Sequence, residues 1–494
     1  MTATLPPRSP FRVRVYDTPS RSVRDVEPLV PGQVRMYTCG PTVYAPQHIG
    51  NMRSQLFADL LRRVIAASGL EVVHVVNITD VGHLTDDADA GEDKLELAAA
   101  RAGGKAEDIA VKYTEQWRTD RARLGCLEPN VLCKATDHIA QQIAMVEAIE
   151  AKGLTYTTDD GVYFDTAAWP RYADFAHLQL DEQDTSGRVA NVDQKRNPAD
   201  FALWKFSPAD VRRQQEWESP WGTGFPGWHI ECSAMATEYL GRQFDLHTGG
   251  VDHVSVHHTN EVAQSEAALD VHPWVSIWVH HEFLQMGAGD DGRDAAKMSK
   301  SAGTTVLLDD LVAAGFDPLA FRWFFLQAHY RSQQDFNTSL LESAATGLAR
   351  LQQRAVAARR EAAGDGAASA PDAARCEPWR ERFWSALADD VNAPRAVAVV
   401  AEVMRAPELT GADRWALLLD FDDALGLGFE SLADDAGAPE EVTADDAETA
   451  GLLRQRDDAR KARDFATADR IRDELAARGL RIVDTPEGSR LQRI

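Results

Sequence analysis

The sequence predicts an α/β domain built on a parallel sheet, followed by a helical region and a small C-terminal α+β module. Residues 32–40, GQVRMYTCG, have the pattern of a strand, and residues 48–69 place apolar side chains at helical spacing before a glycine. Residues 71–79, EVVHVVNIT, have the composition of a second, buried strand. Because strand, helix and strand form a βαβ unit, we expect a parallel sheet with a ligand at the carboxyl ends of its strands. The α/β pattern returns at 227–250, and a helical pattern prevails from about residue 340 onward.

Composition divides the chain further. Residues 154–230 are rich in Trp, Pro, Gly and Asp and contain only short strand candidates such as GVYFD, which predicts an insertion within the α/β fold. Two biased segments, 360–374 and 434–448, bury too little apolar surface to fold alone. We predict the following organisation: first half of the α/β domain 1–153, connective insertion 154–230, second half 231–335, helical bundle 336–431, linker 432–448 and C-terminal module 449–494.

The bulk properties exclude several classes of protein. The chain has 494 residues, 44% of them hydrophobic and 26% charged, which is typical of a globular protein with two to four domains. The formal net charge of −25 argues against indiscriminate coating of DNA. The 5 cysteines are widely scattered, which is not the pattern of a disulfide framework. With neither a signal-like N-terminus nor a long apolar run, we expect a cytoplasmic protein that does not enter a membrane.

Residues 297–301 read KMSKS and lie in a segment with glycines on both sides and no apolar face. One interpretation is a solvated loop. The other is a mobile cationic flap that closes over a polyanion such as ATP. The segment taken alone leaves both interpretations open.

Four residues have the chemistry of a zinc site. His257 and Glu261 are four residues apart, so on a helix they share one face. Cys232 lies in HIECS, and Cys39 lies at the end of a predicted strand. Thiolate and imidazole are ligands that zinc prefers. The alternative is that the two cysteines, which are far apart in sequence, are ordinary small buried side chains.

Taken in order, the motifs of the chain resemble those of the cysteinyl-tRNA synthetases, which are class I aminoacyl-tRNA synthetases. The motifs are CGPTVY, PQHIGN, NITDV, PGWHIECSAM, HTGGVDH with HHTNE, KMSKS and DARKARDFATADRIRDEL, and the resemblance spans about residues 12–490. It implies a Rossmann-type catalytic domain with a connective insertion, a helical bundle and an anticodon-binding module. It also implies a reaction in which the carboxylate of L-cysteine attacks the α-phosphate of ATP, with Mg²⁺. The cysteinyl group then passes to the 3′-terminal adenosine of tRNA(Cys). We expect a monomer.

The resemblance assigns the nucleotide site. The family's HIGH signature corresponds to His48, Ile49, Gly50 and Asn51, where His48 is expected to donate to phosphate oxygens and Gly50 allows close approach of the backbone. Asn51 replaces the second histidine of the signature; a helix N-cap is the alternative role for it. The residues expected to bind ATP are Gly40, Thr42, His48, Gly50, Asn51, Gly250, Asp252, Lys297 and Lys300, and those expected to be catalytic are His48, Asn51, Lys297 and Lys300.

Two parts of that set are the expected ribose site and the KMSKS lysines. Gly250 and Asp252 resemble the ribose-binding stretch of the family, although Asp252 also suits a turn between a strand and a helix. In the family the KMSKS loop closes on the triphosphate, so Lys297 and Lys300 are expected to neutralise the charge that develops there. The resemblance therefore favours the flap over the solvated loop.

The resemblance also gives zinc a purpose. It assigns the ligands to Cys39, Cys232, His257 and Glu261. A hydrophobic pocket separates cysteine poorly from serine, whereas zinc binds a thiolate far better than an alcohol. Four protein ligands and a substrate sulfur would make five, so we expect Glu261 to bind weakly or intermittently.

Three residues match family positions around the amino acid: Thr79, Trp228 and His247. Trp228 is expected to wall the pocket, with plain core packing as the alternative, and Thr79 or His247 is expected to touch the substrate carboxylate or ammonium. Five other potential metal ligands are not expected to take part: His253, His258, Cys126, Cys133 and Cys376.

The C-terminal module carries the candidate RNA contacts. Arg460, Asp469 and Asp484 match positions that read the GCA anticodon in the family, through hydrogen bonds to base edges. Phe465 stands where relatives often carry Trp and is able to stack on an unpaired base. Leu491 replaces another common aromatic residue. Without the family, the preferred interpretation is an amphipathic helical hairpin with a solvated basic face.

Two other functions compete. A related group of ligases joins cysteine to the amino sugar of a mycothiol precursor, but those proteins are shorter and have no counterpart of residues 449–494. A non-catalytic RNA-binding or zinc-sensing paralogue is the other, and the intact His48, Lys297 and Lys300 argue against it. An acidic insertion at 82–94 departs from the family pattern near the amino-acid pocket.

Overall fold

The computed structural model describes most of the chain: residues 5–81, 93–178, 194–208, 213–287, 296–297, 305–364, 370–437, 441–442, 447–461, 464–478, 480–485 and 488–493. Most of the acidic insertion, 82–92, and the loop residues 298–304 lie outside this description.

The first part of the chain forms three strands of the central sheet and the helices around them. Apolar side chains at helical spacing bury one side of the first helix, whose N-terminus is capped by His48. The elements are β1 Arg14–Asp17, β2 Ser22–Asp25, β3 Gln33–Thr38, α1 Ile49–Ala67, β4 Glu71–Ile78, α2 Lys94–Ala102, α3 Ala106–Arg123, β5 Val131–Lys134 and α4 Ile139–Glu150.

A separate antiparallel sheet follows, in strand order β6-β7-β8-β9. The α/β pattern then resumes. The strands of the antiparallel sheet are β6 Thr155–Thr157, β7 Gly161–Phe164, β8 Phe201–Phe206 and β9 Gly224–Pro226. The later elements are α5 Trp228–Leu240, β10 Phe244–Gly250, α6 Thr259–Leu269, β11 Val275–His281, β12 Leu284–Met286, β13 Ala296–Lys297, α7 Leu308–Ala313, α8 Pro318–Leu326 and β14 Gln334–Phe336.

The central sheet has five parallel strands in the order β11-β10-β3-β4-β5. The order reverses between β3 and β10, where Met36 lies opposite Leu246. A parallel sheet of this kind binds its ligand outside the strand ends at such a reversal. This arrangement confirms the predicted Rossmann-type fold.

The remaining chain is a helical bundle and a small C-terminal module. The bundle consists of α9 Thr338–Ala363, α10 Ala373–Ala388, α11 Ala393–Val403 and α12 Gly411–Leu425. The module consists of β15 Glu441–Val442, α13 Ala447–Lys461, α14 Phe465–Ala477, β16 Leu480–Thr485 and β17 Gly488–Arg493. In the described residues, none of the helices combines the length and the apolar character that crossing a bilayer would require.

A buried arginine links the α/β domain to the bundle. Arg322 on α8 is 1% exposed, and its Nη2 donates to Asp59 Oδ2 on α1 at 2.7 Å. Its Nη1 donates to the carbonyl of Leu124 at 3.0 Å, and its Nε donates to the carbonyl of Leu425 at the end of α12. Arg322 thus links α1, through an ion pair, to the end of α12 in the bundle, through a backbone carbonyl.

Candidate active site

A cleft of about 530 Å³ opens at the carboxyl ends of the central strands. It lies where β3, β4 and β10 end, beside the first turn of α1. Twelve of the residues predicted from the sequence line it: Cys39, Gly40, Thr42, His48, Gly50, Asn51, Thr79, Trp228, Cys232, Gly250, Asp252 and His257.

The N-terminus of α1 faces this cleft. His48 is its N-cap: His48 Nδ1 accepts from the backbone N–H of Asn51 at 3.2 Å, and Asn51 Oδ1 accepts from the N–H of His48 at 3.3 Å. The N-cap role that the sequence allowed for Asn51 therefore belongs to His48, three residues earlier. The dipole of a helix start favours an anion such as phosphate.

The described residues on either side of the KMSKS segment make backbone contacts near the cleft. Before it, Lys297 in β13 lies opposite Gln285 in β12. After it, the N–H of Ile49 donates to the carbonyl of Val306 at 2.9 Å, and Leu307 forms a bridge with His48. The side chain of Lys297 and all of Lys300 lie outside the described residues, so their assignment stays a prediction.

The four predicted zinc ligands converge. The ligand atoms of Cys39, Cys232, His257 and Glu261 all lie within 4.8 Å of one another. His257 Nε2 is 2.9 Å from Glu261 Oε1, and the Cys39 thiol points at the same carboxylate oxygen from 3.9 Å. Cys232, His257 and Glu261 are all at most 2% exposed. Two sulfurs, an imidazole and a carboxylate are a donor set that fits zinc.

Neighbouring groups in this cluster offset the effect of burial on the pKa of most of its members. A hydrogen bond from the Cys39 thiol lowers the pKa of Cys232 to about 6, while burial raises the pKa of Cys39 well above its usual value. Burial opposes a charge on His257, yet the neighbouring Glu261 raises the pKa of His257 to about 10. Burial likewise opposes a charge on Glu261, but His247 and His257 hold the pKa of Glu261 at about 2. The group thus favours a thiolate at Cys232, the state in which cysteine binds a metal.

His247 and His258 make contacts with the cluster that the sequence did not indicate. His247 is fully buried and is not among the residues that line the cleft; its Nε2 lies 3.0 Å from Glu261 Oε2, behind the cluster. His247 thus contacts Glu261, and its expected contact with the substrate stays a prediction. His258, expected to be a bystander, places Nε2 3.5 Å from Cys39 Sγ, and a second possible ligand set is Cys39, His247, His258 and Glu261.

A π-helical turn explains how consecutive histidines face the cluster. Residues Val254–His258 form this turn immediately before α6. The wider turn changes the phase of the helix, so His257 and His258 both point inward. Each ring is oriented by another histidine: His229 Nδ1 lies 2.9 Å from His257 Nδ1, and His280 Nε2 lies 2.7 Å from His258 Nδ1.

The other predicted pocket residue, Trp228, forms a wall next to the cluster. Its ring is half-buried, lines the cleft and lies 4.4 Å from the ring of His257, centroid to centroid. Trp228 is therefore at once a packing residue and a cleft residue, so the two predicted roles are compatible.

Thr79 and Gly40 are joined by an asparagine that the sequence analysis did not single out. Asn77 is 1% exposed and lines the cleft. Its Oδ1 accepts from the N–H of Gly40 at 2.8 Å, and its Nδ2 donates to Thr79 Oγ1 at 3.1 Å. The only sequence signal for it is its place at the end of β4, in the motif NITDV.

Glu231 is a second residue that the sequence analysis missed. It precedes Cys232 on α5, is 0% exposed, and neither of its side-chain oxygens has a hydrogen bond of ordinary length among the described residues. Burial raises the pKa of Glu231 well above its usual value, and the hydroxyl of Thr79 partly offsets this. A buried carboxyl beside a cleft is unusual enough to suggest a role in the site.

The remaining cysteines lie outside the ligand sets found among the described residues. Cys133 is buried and its thiol donates to the carbonyl of Val76 at 3.6 Å; burial raises its pKa to about 12. Burial has the same effect on the pKa of Cys126 and of Cys376, to about 12 in each. Such thiols are poor ligands and poor nucleophiles.

The predicted RNA contacts fall on the C-terminal module. Arg460 is exposed near the end of α13, Phe465 begins α14, Asp469 lies within it, and Asp484 lies on β16. The side chains of Phe465, Asp469 and Asp484 lie outside the description. Leu491 on β17 is 2% exposed and packs in the small core with Ile471 and Leu475.

Comparison with known proteins gives consistent results. The family model described as "tRNA synthetases class I (C) catalytic domain" matches residues 25–346, and that described as "Cysteinyl-tRNA ligase anticodon binding domain" matches residues 445–489. The chain is 48% identical over 479 residues to "Cysteine--tRNA ligase 1" of Burkholderia lata, covering 97% of this chain and 96% of that one. It is 42% identical over 491 residues to "Cysteine--tRNA ligase" of Novosphingobium aromaticivorans, covering 98% and 97%.

A solved structure shares the fold. Methionyl-tRNA synthetase of Mycobacterium tuberculosis, bound by methionyl-adenylate, superposes with a TM-score of 0.53 at 15% sequence identity, covering 88% of this chain and 96% of that one.

Proposed function

Because the chain belongs to the cysteine–tRNA ligase family of class I aminoacyl-tRNA synthetases, we propose that it activates L-cysteine with ATP and transfers the cysteinyl group to tRNA(Cys). One observation carries the proposal. The cluster of Cys39, Cys232, His257 and Glu261, three of which line the cleft, adjoins the same cleft as the N-terminus of α1. A substrate bound there has its sulfur at one end and its carboxylate toward the nucleotide.

The first step is attack of the cysteine carboxylate on the α-phosphate of ATP, with pyrophosphate leaving in line. The negative charge that grows on the leaving group is stabilised by the dipole of α1 and by His48. Lys297 and Lys300 add positive charge when the KMSKS loop closes, and Mg²⁺ accompanies the nucleotide. Gly50 and Gly250 allow the backbone to approach the nucleotide, and Asp252 accepts from the ribose hydroxyls.

We propose that one Zn²⁺ per chain is held by Cys39, Cys232, His257 and Glu261. The ion would supply a Lewis acid that binds a thiolate in preference to an alcohol. His247, with Nε2 3.0 Å from Glu261 Oε2, orients that carboxylate. Thr79 and Trp228 enclose the backbone end of the amino acid. Selection of cysteine over serine then takes place at the activation step.

The second step requires the RNA. The cysteinyl group passes from the adenylate to a hydroxyl of the 3′-terminal adenosine, and AMP leaves. We propose that the C-terminal module reads the GCA anticodon through Arg460, Phe465, Asp469 and Asp484, and that the bundle packs beside the tRNA.

We further propose that the segments predicted from the sequence are domains, that the enzyme acts as a monomer, and that it works in the cytoplasm, where tRNA is charged.

The test separates the proposed acceptor from its rival. Purified protein is incubated with radiolabelled cysteine, ATP and either a tRNA with a GCA anticodon or an amino-sugar acceptor. We expect charging of the tRNA and no product with the amino sugar. Product with the amino sugar alone would assign the protein to the small-acceptor ligases instead.

A further inference from the structure

Asn77 connects the two parts of the cleft that would hold opposite ends of the substrate. Gly40 follows Cys39, the ligand proposed for the sulfur end, and Thr79 is the residue proposed for the backbone end. The Asn77 amide accepts from the N–H of Gly40 at 2.8 Å and donates to Thr79 Oγ1 at 3.1 Å. The side chain is 1% exposed, so both hydrogen bonds are shielded from water.

The orientation of this amide is determined by its partners. A backbone N–H only donates, so the atom facing Gly40 is the oxygen of Asn77, and the nitrogen faces Thr79. The Thr79 hydroxyl must therefore accept from Asn77. Its own hydrogen is left for another acceptor, and the carboxyl of Glu231 is a neighbour.

The backbone reinforces the connection. The N–H of Thr79 donates to the carbonyl of Pro41 at 3.1 Å, and the N–H of Val43 donates to the carbonyl of Thr79 at 3.2 Å. A methyl group on Gly40 would lie 1.5 Å from the main-chain oxygen of Asn77. The backbones at Gly40 and Asn77 are therefore too close to admit any side chain at residue 40. Together these contacts hold the turn after β3 against the end of β4.

We propose that Asn77 is a specificity-determining positioning residue, which fixes the spacing between the thiol site at Cys39 and the backbone site at Thr79. Cysteine has one methylene between its α-carbon and its sulfur, whereas homocysteine has two. Homocysteine also offers a thiolate, so a metal cannot reject it on chemistry alone. A rigid spacing rejects it because the longer side chain does not place its sulfur and its ammonium at both sites together. This inference rests on the proposed function.

The test measures selectivity. For the zinc-loaded full chain, the KM for cysteine and the inhibition constant of homocysteine are determined in ATP–pyrophosphate exchange. Asn77→Ala loses both hydrogen bonds. We therefore expect the ratio of the homocysteine inhibition constant to the cysteine KM to fall about tenfold, which is the discrimination that one extra methylene in a pocket typically provides. Asn77→Ser, too short to reach both partners, is expected to lower the ratio similarly and provides the measurement if the alanine variant does not fold.

Asn130→Ala is the matched control. Asn130 Oδ1 accepts from the N–H of His74 on the same strand at 2.9 Å, but Asn130 does not line the cleft. Its loss should leave the ratio unchanged. If the Asn77 variants change both constants by the same factor, or neither, Asn77 has only a structural role and the inference is overturned. Absence of cysteine-dependent exchange in the unaltered protein would instead overturn the proposed function.

Discussion

At the residue scale, the chemistry of the site comes from side chains that modify one another. Cys39 donates to Cys232, which keeps the pKa of Cys232 low, and Glu261 lies between His247 and His257. Such coupling means that replacing one member alters the charge state of the others. The effects of substitutions here should therefore not add.

Substitution of Cys232 tests the ligand set. Cys232→Ser replaces a soft thiolate by an alcohol that zinc binds weakly, so we expect the zinc content to fall below half and the KM for cysteine to rise at least tenfold. Elemental analysis gives the first quantity and ATP–pyrophosphate exchange the second. Cys133→Ser, at a buried cysteine outside the ligand sets, is the control and should change neither. Full zinc content and an unchanged KM in Cys232→Ser would show that the ligands are different.

Most residues of this site were predictable from residue types and motifs, but several residues that surround the proposed zinc ligands were not. The four zinc ligands were candidates from their residue types, but only the family resemblance assigned them, because spacing does not show that Cys39 and Cys232 converge. His258 was missed because its inward orientation depends on the π-helical turn Val254–His258, which a regular helical period does not reveal. Asn77 and Glu231 were missed because their importance lies in contacts between elements that are distant in sequence.

At the scale of elements, the start of α1 is the feature that joins fold and reaction. Its N-cap, His48, is also the residue expected to face the phosphates, and the same turn is bridged to Leu307 beyond the KMSKS loop. The strand and helix positions were predictable from hydrophobic periodicity, whereas the small strands β12, β13 and β14 are too short to leave a signal.

A substitution at His48 separates capping from catalysis. Asparagine is as good an N-cap as any residue, so His48→Asn should leave the melting temperature within about 2 °C. It cannot reach the phosphates as the imidazole does, so the exchange rate should fall about 100-fold or more. The two measurements are thermal unfolding and exchange at saturating cysteine. An unaltered rate would remove His48 from the reaction.

The flap interpretation of the KMSKS segment makes a different prediction. Lys300→Ala should lower kcat for adenylate formation by about 100-fold while the KM for cysteine changes less than about threefold, because the lysine acts on the phosphates. Lys105→Ala, which removes a cation at the start of α3, is the control and should have no effect. A rise in the KM for cysteine alone would contradict the assignment.

At the scale of the whole molecule, one buried arginine links the catalytic domain to the bundle. Arg322 and Asp59 are each at most 2% exposed and make their contacts across α1, α8 and α12. Burial alone would raise the pKa of Asp59, but Arg322 and Arg63 lower it below its usual value. The stabilisation is therefore present above the ordinary aspartate pKa of about 3.9 and is lost as the pH falls through the lower folded pKa.

Removal of this arginine should destabilise the enzyme strongly. Arg322→Ala leaves Asp59 buried without its main partner, which costs about 3–5 kcal/mol in the free energy of unfolding. Urea denaturation at neutral pH measures the loss. Arg382→Ala, which breaks an exposed pair with Glu402, should cost less than about 1 kcal/mol. Equal effects of the two substitutions would show that the buried pair stabilises the fold no more than an exposed pair does.

Cysteine-dependent ATP–pyrophosphate exchange tests whether a bound metal selects the substrate. The exchange rate is measured before and after a chelator removes the bound metal, and serine is assayed in parallel. We predict exchange with cysteine in the native protein, its loss after chelation, its return when Zn²⁺ is added back, and a rate with serine lower by at least three orders of magnitude. Exchange that survives complete removal of metal, or that proceeds as fast with serine, would contradict the account.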